Sequence, residues 1–268
     1  MKTWKHWAFT GFFSVIAFIA CDNGNNIPSP QPTIDEIDFG VGAVFSTHNF
    51  NNAVDLLAFW NDHNLASGNY VINVAGNIDL GNDALGSELL SDRSGIVISL
   101  RGINGAEITS SEGGSADPRS APVLRIDNGQ KIILRNITLN RINNEWNSVD
   151  IFSSNSTLVL QSGSVITGGS HGVRVINGGT FLMEGGEIFG NSYGVLIANP
   201  NSHFKKTGGI IFGHGLDGKT NTNLSIRVLL SSVAALAYRE DTVADALSIT
   251  INSTGDGIAS QTGVWVNP

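Results

Sequence analysis

The sequence predicts an all-β chain wound as a parallel solenoid with three strand columns per turn. Three observations predict it. Short pairs at alternate positions return along the chain: Ile72/Val74, Ile98/Leu100, Leu124/Ile126, Ile151/Ser153, Val173/Val175 and Val195/Ile197, all aliphatic except Ser153. Their second members fall at 74, 100, 126, 153, 175 and 197, intervals that each match the length of one solenoid turn. Four asparagines, Asn128, Asn155, Asn177 and Asn199, each stand shortly after such a pair.

Two further columns complete the turn. Leu158, Phe181 and Phe204 are separated by 23 and 23, and Val165, Ile188 and Ile211 repeat the interval. No 3.6-residue apolar stripe competes with this alternation. Gly163, Gly186 and Gly209 share the spacing and stand where a corner needs positive φ or close backbone approach. Asparagine is the side chain that best tolerates the left-handed region. Amides stacked one strand spacing apart, about 4.8 Å, can also hydrogen-bond up a column. Asn128, Asn155, Asn177 and Asn199 are therefore expected to form a structural ladder at one corner.

The run Gly178-Gly179-Thr180-Phe181-Leu182-Met183-Glu184-Gly185-Gly186-Glu187-Ile188 resembles the repeats of bacterial lipoproteins of the right-handed parallel β-helix, pectate-lyase-like type. The resemblance covers residues 123–213 and extends more loosely over 68–122. It implies right-handed coiling, as the general rule for parallel crossovers also does. It implies no particular activity, because this scaffold hosts lyases, hydrolases, adhesins and inert stalks.

The elements follow in chain order. Residues 1–20 read as a signal peptide: Lys2 and Lys5 give a positive start, and the apolar run from Ala8 closes on Phe18-Ile19-Ala20-Cys21. The only cysteine, Cys21, looks like the acylated residue of a lipobox, although Phe18 stands where leucine is usual. Lacking a second cysteine, it forms no internal disulfide. Residues 21–42, with Pro28, Pro30 and Pro32, read as a flexible tether. Residues 43–66 read as an N-terminal cap with one amphipathic helix over 51–63. Val54, Leu57 and Trp60 would lie over the first coil, and Asn51 or Asn52 would cap the helix. Trp60 is read as core rather than as a ligand-stacking residue. Residues 67–213 are the β-helix, and 214–268 irregular terminal coils with a C-terminal cap.

Composition narrows the partners. Charged residues are 14% of the chain and Gly totals 32, which suits a turn-dense solenoid. Removing residues 1–20 takes two of 15 basic residues, leaving 13 against 23 acidic, a net charge of −10. Without a basic cluster, nucleic acid is not an expected partner. The expected partners are the membrane, through the lipid anchor, and glycans or host and cell-surface molecules. The expected address is the cell envelope, at the outer membrane or cell surface rather than the periplasmic face of the inner membrane.

The chemistry-bearing candidates are few. Long connections at 81–94, 110–122 and 141–149 are expected on one side, as a groove wall carrying Glu88, Asp92, Arg93, Glu112, Asp117, Arg119, Glu145 and Trp146. Arg101, Arg125, Asp127, Asp150 and Arg174 are the outward charges that a lyase would need as base and calcium-holding carboxylates. Asp127 and Asp150 do not fall at matching positions, so no carboxylate cage follows. Glu184 and Glu187 are a poor glycosidase pair, being on different sides of a turn. His171, His203 and His214 share no register, and no metal or cofactor site is assigned. The reading is a lipid-anchored envelope β-helix with a structural or binding role and no catalytic residue. Its alternatives are a polysaccharide lyase or glycoside hydrolase, and a variable surface stalk.

Overall fold

Alternating aliphatic residues interrupted every few positions by Asn, Gly and Ser produce strands too short for anything but stacking on the same segment of the next turn. The computed structural model describes residues 39–211 except 41, 63, 87–93, 112–121, 143–145, 192 and 199–201. Beyond these it describes the backbone of Leu224–Val228, Leu236–Arg239 and Gln261–Thr262. Cys21, Asn199 and His214 lie outside the described residues.

The fold is a parallel β-solenoid of about six turns. The first column stacks β1 (Phe45–Phe50), β2 (Gly68–Ala75), β4 (Ile96–Ile103), β7 (Lys131–Arg135), β10 (Thr157–Leu160), β13 (Thr180–Phe189), β15 (His203–Ile211) and β17 (Leu236–Arg239). The second stacks β3 (Ile78–Asp79), β5 (Glu107–Ser110), β8 (Thr138–Arg141), β11 (Val165–Thr167) and the far halves of β13 and β15. The third stacks β6 (Leu124–Ile126), β9 (Val149–Ile151), β12 (His171–Val175), β14 (Tyr193–Ile197) and β16 (Leu224–Val228). Against β16, β18 (Gln261–Thr262) runs antiparallel; the other pairings are parallel.

The interior is a set of like-on-like stacks. Ile98, Ile132, Leu158, Phe181 and Phe204 lie one above another, each at most 1% exposed, with Tyr70 beneath Ile98. Phe181 and Phe204 stack with centroids 5.1 Å apart. Burying such a side chain contributes roughly 1.5–3 kcal/mol, repeated on every coil. The second column's inward residues include Ile108, Leu139, Ile166, Ile188 and Ile211, so Ile166 holds the place expected for Val165.

The register of the early coils differs from the expectation. Ile72/Val74 and Ile98/Leu100 belong to the first column, not to the third column of Leu124/Ile126: Ile98/Leu100 lie beneath Ile132/Leu134, while Ile72 lies beneath Leu100 and Val74 beneath Gly102. The physical cause is the long chain between β5 and β6, which lengthens this coil so that Ile132 is the residue stacked on Ile98. In the third column Val149/Ile151, rather than Ile151/Ser153, continue Leu124/Ile126. This removes the one polar member from the inward series.

The long connections consequently divide. Those at 110–122 and 141–149 both lead into the third column, at β6 and β9. The segment 81–94 instead passes through Leu85, which bridges to Leu124 in the third column, before the chain turns to β4 of the first. Of the residues named on the expected groove wall, Trp146 is described; Glu88, Asp92, Arg93, Glu112, Asp117, Arg119 and Glu145 lie outside the described residues.

Helix α1 (Ala53–Trp60) is capped by Asn52, whose Oδ1 accepts from the Asp55 amide at 2.9 Å. Its inward residues are Leu56 and Trp60, one turn apart and at most 1% exposed, while Val54 faces solvent at 77%. Trp60 is core. The strand column begins before this helix, because β1 pairs with β2 from Phe45↔Asn69 to Phe50↔Val74.

At the corner after the third column, Asn128 and Asn177 take φ of 51° and 52°, each followed by a glycine at positive φ. These are the asparagine–glycine turns that two successive left-handed residues demand. Asn155, at φ 65°, stands two positions after the place matching Asn128 and Asn177 when counted from β9 and one after it when counted back from β10, that turn being longer by a single residue. The hydrogen bonds that climb this corner come from serines. The Gly129 amide donates to Ser156 Oγ at 3.0 Å, and the Gly178 amide to Ser202 Oγ at 3.2 Å. Among the described residues no hydrogen bond joins the side chains of Asn128, Asn155 and Asn177 to one another.

Asn177→Ala should lose about 1 kcal/mol through its left-handed backbone, while Asn177→Gly should be near neutral. Phe181→Ala should lose about 3–5 kcal/mol through the cavity left in the stack. Urea unfolding of the three variants beside the parent chain measures both.

Candidate functional site

Between the inward residues of each third-column strand one side chain points outward. Cross-strand pairing places Arg125, Asp150, Arg174 and Leu196 in one line. Strands lie about 4.8 Å apart, so like charges on this line would repel at close range. The line alternates instead, with Asp150 between two arginines.

Asp150 is the centre of a connected network. Its Oδ1 accepts from Arg174 Nε at 2.9 Å, and its Oδ2 from Arg174 Nη2, a two-pronged pair. Asn147 Nδ2 also donates to Oδ1, at 2.8 Å. That donation fixes the amide, so Asn147 Oδ1 is the acceptor for His171 Nδ1 at 2.8 Å, and Nδ1 carries the proton. The His171 ring stacks on Tyr193 of the next coil, centroids 4.9 Å apart and 19° from parallel. On the other side, Arg125 Nη2 donates to Asp127 Oδ2 at 3.2 Å, and its Cζ lies 3.9 Å above the Phe152 ring.

Burial is graded. Asp150 is 2% exposed and Arg125 8%, whereas Arg174, His171, Phe152 and Tyr193 are half-buried. The ion pairs form the floor, and aromatic and guanidinium edges reach solvent. Such a surface can stack on a ring and donate hydrogen bonds. Both carboxylates are held by arginines, so neither is poised as a general base.

Of the five charges the sequence singles out, Arg125, Asp127, Asp150 and Arg174 come together. Arg101 does not: it lies on the first column, paired with Arg135, and its Nε donates to Ser99 Oγ at 2.8 Å. Asp127 and Asp150 sit out of register, since Asp127 aligns with Phe152. Glu184 receives a hydrogen bond from Gln161 Nε2 at 3.2 Å and pairs with Gly208, because β15 carries an extra residue after Lys206. His171 and His203 lie on different columns. Among the described residues no three of His, Cys, Asp and Glu gather as metal ligands.

Asn147, Phe152, His171 and Tyr193 were not singled out together by sequence, though a signal was present. Asn147, His171 and Tyr193 each stand two positions before Val149, Val173 and Val195, which stack in register. The misplacement of Ile151/Ser153 hid that alignment. No protein-family model, no curated protein and no solved structure matches this chain.

Asp150→Ala leaves Arg174 without its carboxylate and should cost about 3 kcal/mol. In a double-mutant cycle, Arg174→Ala should then add little to Asp150→Ala. Full additivity of the two losses would mean that the pair does not act as a unit.

Proposed function

We propose that this chain is a lipid-anchored protein of the cell envelope whose solenoid contacts glycans or other surface molecules through the outward face of the third column. The observation that carries the binding reading is the half-buried edge formed by Phe152, Arg174, His171 and Tyr193 over an internally neutralised floor. Rings and guanidinium groups held rigidly on stacked strands lose little freedom on binding. They come from three successive coils, which suits a ligand lying along the solenoid axis. The anchoring reading is supported by the apolar run ending at Cys21 and by the proline-bearing segment after it. The expected address is the outer membrane or cell surface.

A second reading is favoured by one observation, the convergence of Arg125, Asp127, Asp150 and Arg174: a polysaccharide lyase or glycoside hydrolase. It requires an incoming substrate to displace an arginine from its carboxylate. The structural arm, a surface stalk, needs no ligand at all.

Two measurements separate these readings. On a glycan array the purified chain should retain ligands that the Arg174→Ala and Tyr193→Ala variants bind about tenfold more weakly. Turnover of acidic or neutral polysaccharides would transfer the face to the enzyme reading, and an empty array without turnover to the stalk. For the anchor, labelled fatty acid should enter the parent chain and be absent from Cys21→Ala; equal labelling removes it.

A further inference from the structure

One line of side chains on the first column is covered although it points away from the interior. Between the inward residues of each strand, cross-strand pairing aligns Val71, Ser99, Ile133, Val159 and Leu182 on the outer face. Val71 and Ile133 are 2% exposed, Val159 3% and Ser99 0%, yet none of them belongs to the interior cluster. At Val71 the neighbouring side chains do not account for this. On that face it is bordered by Thr47, Ser99, Asn69 and Asn73, all too short to close over it. Among the described elements, β2, β4, β7 and β10 pack appreciably only on their neighbours in the stack.

The covered line is bordered by cations. Lys131, Arg101, Arg135 and Lys205 stand on outward positions of the first column, against one carboxylate, Glu184, which Gln161 holds. In a chain of 15 basic and 23 acidic residues, that excess marks a face suited to an acidic, partly apolar partner. Ser99, Arg101, Arg135 and Lys205 are all engaged by partners beyond the contacts given above.

The chain carries such a partner next to the face. Thr33-Ile34-Asp35-Glu36-Ile37-Asp38 combines three carboxylates with two isoleucines and runs directly into Phe39. The Phe39 ring stacks on Phe45, centroids 5.6 Å apart, and Phe45 heads the outward line of Asn69, Val97 and Lys131. From β1, Arg101 and Arg135 lie two and three strand spacings along the stack, about 10 and 14 Å. Asp35, four residues before Phe39, reaches about 13 Å in extended chain. The acidic residues after β17, Glu240, Asp241 and Asp245, follow a strand four spacings beyond Arg135, about 19 Å away.

We infer that residues 33–38, which lie outside the described residues, strap the outer face of the first column. Asp35, Glu36 and Asp38 serve Arg101 and Arg135, while Ile34 and Ile37 cover Val71 and Ile133. Burial of the two isoleucines offsets the chain freedom that such a strap loses. The strap rests neither on the third-column face nor on acylation of Cys21. Where Cys21 is acylated, it sets the membrane-linked end of the chain beside the first column, on another side of the coil from the Asp150 network.

The test is carbodiimide cross-linking of the purified full-length chain, which joins a lysine amine to a carboxylate in contact with it. Mass spectrometry should find Lys131 joined to Asp35, Glu36 or Asp38. Cleavage after Glu36 by a glutamate-specific protease reads the strap in a second way. It should be about tenfold faster in the Arg101→Gln/Arg135→Gln variant than in the parent chain, with cleavage after Glu107 of β5 unchanged. If that variant fails to fold, the cross-link in the parent chain decides. Three results overturn the strap: Lys131 joined instead to Glu240, Asp241 or Asp245, no cross-link to either segment, or equal cleavage after Glu36 in the two chains. Cleavage after Glu36 and Glu107 rising together overturns it as well, since the whole fold would then have loosened.

Discussion

Everything in this molecule depends on how closely one coil's backbone lies on the next. At several glycines there is no room for a β-carbon: one added at Gly102 would stand 2.2 Å from the Asn136 carbonyl oxygen. At Gly168 it would meet the Arg141 carbonyl at 2.0 Å, and at Gly208 the Glu184 carbonyl at 2.1 Å. These contacts lock each turn at a fixed height and rotation above the last. A slip by one position would turn every inward side chain outward. The corners thus specify the register, and the register specifies the core.

The same constraint sets the outward chemistry. Identical positions on successive coils are neighbours at strand spacing, so an outward column is a one-dimensional lattice of side chains. Charges on it must alternate or be shielded. The third column alternates, through Arg125, Asp150 and Arg174. On the first column Arg101 and Arg135 are adjacent, and both are engaged by further partners. Where the lattice carries rings, as at His171 and Tyr193, they stack without any sequence-local contact. A face built this way has little side-chain freedom to lose. The cost is that single charges are seldom free for catalysis, because the coil above or below supplies a counter-ion.

Much of this was legible in the chain. The later coils keep a nearly constant length, with little insertion. Leu158, Phe181 and Phe204 therefore align by counting alone, as do Gly163, Gly186 and Gly209, whose φ values of 76–77° match a corner. The early coils resisted counting because inward pairs look alike in every column. Ile98/Leu100 and Leu124/Ile126 are spaced like neighbours one full turn apart, yet they lie on different columns of the same turn. Only the hydrogen-bonded pairing tells one column from another. Asn155 misled for a related reason: a single added residue in its turn moved it off the place held by Asn128 and Asn177.

By itself, the sequence determined that the chain is a β-solenoid, since alternation and glycine spacing are local and repeat without reference to distant residues. It also determined which residue types stand at the corners, because left-handed backbone selects Asn and Gly whatever surrounds them. Tertiary structure decided which coils sit beside which. Arg125 and Asp150, or Asn147 and His171, are separated by about a coil of chain and meet only once insertions have been absorbed into loops. The candidate face is a property of that stacking. Neighbours across coils are set by the height of the turn, which no local pattern encodes.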